Sequence, residues 1–244
     1  MDKEKLNNSN VIRNISTDQT EILRNIMTLY TDGKAFDCDM TASKLKFYNN
    51  DRCKYQIPEP SILFDVFPQM DKIKKIEPLG KLPLEGGSIE SIVIDLPFVI
   101  APKDSASTRN PNKRSNIIFN RFSSYYPLDD LYESYFHWIS EAYRVLKPNG
   151  LCVFKCQSTV TGGVQANSEE FSFMCAQKVG FTVEDKFILA AKSRLISSSK
   201  INNQQHARKY TSVFYCFKKT IKKKSKNFNY FDLIDILSVN EKNR

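Results

Sequence analysis

Ser91-Ile92-Val93-Ile94-Asp95-Leu96-Pro97-Phe98 is the stretch on which the fold reading turns. Its Ile92-Val93-Ile94 centre is an unbroken β-branched run ending in a carboxylate, the pattern of a central parallel strand buried on both faces. Gly86-Gly87 supplies a turn before it, so a strand is predicted over residues 89–98, with Pro97 as its breaker. In open α/β sheets, ligands bind beyond the carboxyl ends of the strands, near the point where strand order reverses. Asp95 therefore marks the edge of the sheet at which chemistry is to be sought.

Toward the C-terminus, Leu131, Tyr135, Trp138, Ile139, Ala142 and Val145 share one face of a helix predicted over residues 129–146. Pro148-Asn149-Gly150 ends it and turns into a buried strand, Leu151 to Cys156. A helix from Glu169 to Val179 closes at Gly180, and Phe181 to Ala190 and Tyr210 to Lys218 read as an antiparallel pair. Toward the N-terminus, Ser16-Thr17-Asp18-Gln19 precedes a helix carrying Ile22, Leu23, Ile26 and Leu29. Strands are predicted at 34–38, 62–66 and 73–77, with the small-residue loop Thr41-Ala42-Ser43 after the first. The result is a mostly parallel α/β sheet with one reversed strand near its edge, in a domain spanning residues 16–218. Residues 1–15 read as disordered. Residues 219–244 form a basic tail with a short apolar segment, either a solvated tail or an arm that contacts phosphates.

With 36 Lys+Arg against 27 Asp+Glu in 244 residues, the net charge of +9 favours a polyanionic partner. No run of about 18–20 apolar residues is present and the first residues are polar, so a soluble, cytoplasmic protein without a membrane segment is expected. The six cysteines sit mostly in apolar runs and form no CxxC pair, which points to buried thiols rather than a metal site.

Asp95-Leu96-Pro97-Phe98 resembles the signature of the amino-methyltransferases: Asp, Asn or Ser, then Pro, Ile or Leu, then Pro, then an aromatic residue. Leu82-Pro83-Leu84 resembles the family's approach to this strand. Tyr143 to Gly150, followed by Leu151 to Lys155, resembles its next helix, turn and strand. The resemblance implies a Rossmann-like, seven-stranded class I methyltransferase sheet. It also implies S-adenosylmethionine as cofactor and methylation of an exocyclic amino group of a DNA base. Adenine N6 is preferred and cytosine N4 is the alternative. Such an amine is a poor nucleophile, because its lone pair is delocalised into the ring. Asp95 and a backbone carbonyl beside Pro97 are expected to accept its two N–H bonds, and Phe98 to stack on a base flipped out of the helix. The leaving group already carries positive charge, so the chemistry calls for no metal, in keeping with only two histidines.

The family's Gly-x-Gly cofactor loop is missing; Phe36 to Ser43 stands in its place. Asp37 or Asp39, with Thr41, is expected to meet the cofactor's amino group, and Asp65 its ribose hydroxyls; a loop acid or helix cap is the other reading of each. Two basic segments, 102–127 and 192–209, are expected to contact nucleic acid through Lys103, Arg114, Arg121, Arg194, Gln205 and Arg208. Two rivals remain. Leu96, seen mainly in the RNA-modifying branch, favours an RNA adenine N6-methyltransferase, and the altered loop favours a non-catalytic nucleic-acid-binding protein. The oligomeric state is not legible.

Overall fold

The computed structural model describes residues 11–48, 54–98, 128–161, 164–192 and 206–220. In chain order its elements are β1 (Ile15–Ser16), α1 (Gln19–Tyr30), β2 (Cys38–Asp39), β3 (Ile62–Asp65), β4 (Lys74–Lys75), β5 (Ile89–Asp95), α2 (Leu128–Val145), β6 (Leu146–Cys156), β7 (Thr159–Thr161), β8 (Val164–Ala166), α3 (Ser168–Val179), β9 (Thr182–Ala190) and β10 (Thr211–Lys218). Eight strands form one sheet in the order β1-β9-β10-β6-β5-β2-β3-β4, while β7 and β8 make a separate hairpin. Strand β10 runs antiparallel to both β6 and β9, and every other pairing in the large sheet is parallel. The expected α/β sheet with one reversed strand near its edge is therefore present, with eight strands rather than seven. The eighth is β1. The sequence predicts disorder through residue 15, but the carbonyl of Asn14 accepts from Ile188 N at 2.6 Å and Ile15 pairs with Ile188. Two backbone steps along an open edge are enough to order it.

Strand β2 is the third from the β4 margin, with β3 on one side and β5 on the other. The chain moves outward from β2 to β4, crosses back, and moves outward again from β5, so strand order reverses between β2 and β5. Alternation along the central strands sends side chains to two cores. Val93, Val153, Phe187 and Phe214 pack with Ile22, Leu23 and Ile26 of α1. On the opposite face, Ile92, Ile94, Cys152 and Phe154 pack with Leu131, Tyr135, Trp138 and Ile139 of α2 and Ala176 of α3. Five cysteines among the described residues are buried and unpaired.

The caps agree with the sequence. Asp18 accepts from the amides of Thr20 and Glu21 at the start of α1, at 2.8 and 3.3 Å. Gly180 ends α3 in the left-handed region at φ 114°. The strand from α2 differs from expectation. Leu146 already pairs with Ile89, and the next partners are Ser91 and Leu151, so three residues of β6 bulge out. Pro148-Asn149-Gly150 is thus a bulge within the strand rather than a turn before it. Asn149 takes φ 65° there, and Lys219 secures the corner by donating Nζ to the carbonyls of Tyr143 and Leu146 at 2.6 and 2.7 Å.

A side chain on Gly150 would meet this bulge directly, since a Cβ there lies 2.9 Å from the Lys147 carbonyl oxygen and 3.1 Å from that of Glu90. Gly150→Ala is expected to cost about 1–3 kcal/mol, a thermal midpoint lower by about 2–12 °C for a domain of this size. Thermal denaturation followed by circular dichroism checks it; an unchanged midpoint would remove the packing argument.

Candidate active site

A cavity of about 580 Å³ opens at the reversal point of the sheet, and the strand ends that line it are Asp39, Asp65, Asp95 and Lys155. Its volume falls within the range of small-molecule sites, roughly 300–1,000 Å³. Residues 40–48 form successive turns along one wall, and Asp130, Glu133, Ser134 and Trp138 of α2 contribute to another.

Asp39 is 1% exposed and accepts three hydrogen bonds. Thr41 N and Oγ1 donate to Oδ1 at 2.8 and 3.1 Å, and the Tyr48 hydroxyl donates to Oδ2 at 2.9 Å. Burial pushes its acid up to about 7, against these hydrogen bonds, which favour the carboxylate. The Thr41 hydroxyl also accepts from the backbone N–H of Asp95 at 2.8 Å, which ties the end of β2 to the end of β5. The loop achieves its shape without glycine by placing Ser43 and Leu45 at φ 45° and 55°, a conformation most side chains resist.

Asp65 receives Ser43 N on Oδ2 at 2.8 Å and Phe67 N on Oδ1 at 2.7 Å. Burial raises its pKa and these two amides oppose the rise. Each oxygen keeps acceptor capacity after one such bond. Beside it, Phe67 is 62% exposed and Leu79 42% exposed, and both line the cavity.

Asp95 pairs in register with Lys155 across β5 and β6, and the Lys155 ammonium lies 3.0 Å from its Oδ2. That ammonium also sits 5.0 Å from the ring centre of Phe47 and 5.5 Å from that of Phe214. Pro97 lines the cavity, whereas Phe98 is half-buried and is not among its lining residues.

Asp39, Thr41, Asp65, Asp95 and Pro97 are thus brought together as the sequence suggested. Asp37 is not. Its Oδ2 accepts from the amides of Glu90 and Ser91 at 2.6 and 3.2 Å, so it braces the beginning of β5 rather than facing the cavity. Arg208 is exposed, and its segment leaves the same end of the sheet: Gln157, just past β6, donates to the carbonyls of Lys209 and Thr211 at 3.3 and 2.8 Å. Lys103, Arg114, Arg121, Arg194 and Gln205 lie outside the described residues. Sequence reasoning passed over Lys155, although a single charge within Leu151-Cys152-Val153-Phe154-Lys155-Cys156 was a visible anomaly. It also passed over Tyr48 and Trp138, which only folding brings to the cavity.

The raised acid of Asp39 has a pH consequence. An ordinary aspartate has a pKa of about 3.9, so between about pH 4 and 7 the unfolded chain releases this proton while the folded one retains it. Stability contributed by the site is therefore greatest at the acid end and falls as pH rises through that window. Asp39→Asn, which keeps an acceptor for Thr41, is expected to flatten the slope of urea-denaturation free energy over that window; identical slopes would contradict the burial argument.

Residues 89–242 match the family model described as DNA methylase. The match begins at the first residue of β5. No curated protein matches the chain significantly. Among solved structures, the chain is similar to the PvuII DNA methyltransferase (cytosine-N4-specific), with 17% identity, a TM-score of 0.40, and coverage of 57% of this chain and 45% of that one. It is also similar to a Listeria monocytogenes protein assigned to the class I S-adenosylmethionine-dependent methyltransferases, with 13% identity, a TM-score of 0.46, and coverage of 88% and 64%. The chain thus spans less than two thirds of the length of either. Among the described residues, no helix is long and apolar enough to cross a membrane.

Proposed function

The chain belongs to the N6/N4 DNA methylase family, and from that premise we propose that it transfers a methyl group from S-adenosylmethionine to an exocyclic amino nitrogen of a DNA base, adenine N6 in preference to cytosine N4. The observation that carries the reading is the position of Asp95 and Pro97: they follow one another around the cavity wall where the strand order reverses.

The cavity suits the cofactor. Asp65 offers spare acceptor capacity to ribose hydroxyls, Phe67 and Leu79 offer apolar faces to a purine ring, and the row of carboxylates suits a cationic ligand. Asp39 acts from behind, holding Thr41 and Tyr48. When bound, S-adenosylmethionine supplies a methyl group already activated by positively charged sulfur. Asp95 and a backbone carbonyl near Pro97 accept the two N–H bonds of the target amine, favouring a pyramidal nitrogen with its lone pair free to attack. Phe98, beyond Pro97, stacks on the flipped base. Lys44 and Lys46 at the cavity and Arg208 beyond it supply positive charge for the phosphate backbone, joined by the basic segments 102–127 and 192–209.

Leu96 favours RNA as a second substrate reading. Radiolabelled methyl transfer to mixed DNA and to matched RNA, followed by mass spectrometry of the nucleosides, tests both. The expected product is N6-methyladenine in DNA. Asp95→Ala is expected to lower the rate by roughly 10²- to 10³-fold, and incorporation equal to wild type would sink the assignment. Binding of DNA with no calorimetric signal for S-adenosylmethionine would instead favour a non-catalytic binding protein.

A further inference from the structure

Lys155 is a buried cation that the proposed chemistry leaves without a task. It is 9% exposed, lies near the carboxyl end of the otherwise apolar stretch Leu151 to Cys156, and shares with Asp95 the face of the sheet that packs against α1, two residues beyond Val153 and Val93 respectively. Burying an ammonium carries a large desolvation penalty unless it is paired. Here the pairing is specific. In register across β10, β6 and β5 stand Phe214, Lys155 and Asp95, and Phe47 from the loop after β2 covers the row. The ammonium meets two aromatic rings and one carboxylate oxygen, contacts that offset its desolvation.

This arrangement divides the two oxygens of Asp95. Oδ2 is held by Lys155 at 3.0 Å, and among the described residues no donor reaches Oδ1. At the same time the backbone N–H of Asp95 is fixed by Thr41. The residue is therefore held at both its main chain and one carboxylate oxygen, and among the described residues the other oxygen keeps its acceptor capacity. A strand of this kind has no packing need for a lysine at this position, since a methionine would fill the space between Phe47 and Phe214 without a charge to bury.

We propose that Lys155 is a positioning residue for methyl transfer: by binding Oδ2 it fixes the Asp95 carboxylate so that Oδ1 receives the N–H of the target amine. The inference rests on the reading of Asp95 given above. Lys155 lines the cavity but acts through Asp95, so its contribution disappears when the carboxylate is absent. Phe47 and Phe214 hold the ammonium in place and prevent it from swinging out to solvent.

The test is a double-mutant cycle on the full chain, with methyl transfer to mixed DNA measured at saturating S-adenosylmethionine and thermal midpoints recorded for each variant. Lys155→Met is expected to lower kcat by roughly 10- to 100-fold, with the KM for S-adenosylmethionine changed by no more than about twofold. Asp95→Asn replaces the carboxylate with an amide, a residue the family's motif accepts at this position, and adding Lys155→Met to it is expected to slow transfer no further. Lys155→Arg, which keeps a charged donor, is expected to recover part of the loss. If Lys155→Met does not fold, Lys155→Gln, whose neutral amide is a weaker donor to Oδ2, takes its place in the cycle and is expected to lose part of the rate, and only when Asp95 is present. Equal losses in the Asp95 and Asp95→Asn backgrounds, or a wild-type rate for Lys155→Met, would overturn the proposal while leaving Asp95 in its role. Wild-type activity in Asp95→Ala, or no transfer by the wild type, would remove both readings.

Discussion

One hydroxyl holds the two central strand ends at the distance the cavity requires. Thr41 Oγ1 donates to the buried carboxylate of Asp39 and accepts from the amide of Asp95, so the ends of β2 and β5 are joined by a side chain at the point where backbone pairing between them stops. Because strand order reverses there, the turns after β2 and the helix α2 after β5 pack on opposite faces of the sheet, and a gap opens between them. The brace sets its width. Asp39, Asp65, Asp95 and Lys155 all line that gap.

The brace also explains how the loop after β2 dispenses with glycine. Asp39 and Tyr48 are fixed from within, and Ser43 is tied through its amide to Asp65. Left-handed backbone at Ser43 and Leu45 is then held by bonds on both sides, whereas glycine would adopt it freely. The resulting wall is rigid by hydrogen bonding rather than by close approach of bare backbone. Absence of the glycine pattern therefore says little about whether the wall can form.

Much of this was legible in the sequence, for identifiable reasons. Strand β5 and helix α2 carry long, regular apolar patterns, and α3 is bounded by Gly180, so their existence and order could be read directly. Strands β1, β2 and β4 are two residues each, too short for any periodicity, and their limits came only from pairing. That the sequence leaves Asp37 and Asp39 as alternatives has the same origin. One acid precedes and the other ends a strand so short that Asp37 lies at the beginning of β5 and Asp39 near its end, and residue type cannot distinguish the brace at one end from the brace at the other. The fork of Asp95 and Lys155 depended on register between strands sixty residues apart, which local patterns do not contain.

The sheet's margins carry a consequence of their own. An uncovered strand edge offers unpaired amides and carbonyls to any neighbouring chain and so invites association. Here one margin is the two-residue β4, made of exposed Lys74 and Lys75, which offers few bonding groups and an unfavourable charge to a like strand. At the other, β1 covers Ile188 and Leu189, and the uncovered remainder of β9 carries Glu184, Asp185 and Lys186. Among the described residues, a sheet whose central strands are apolar on both faces therefore meets a like strand only at short, charged margins, which disfavour its extension into a second copy.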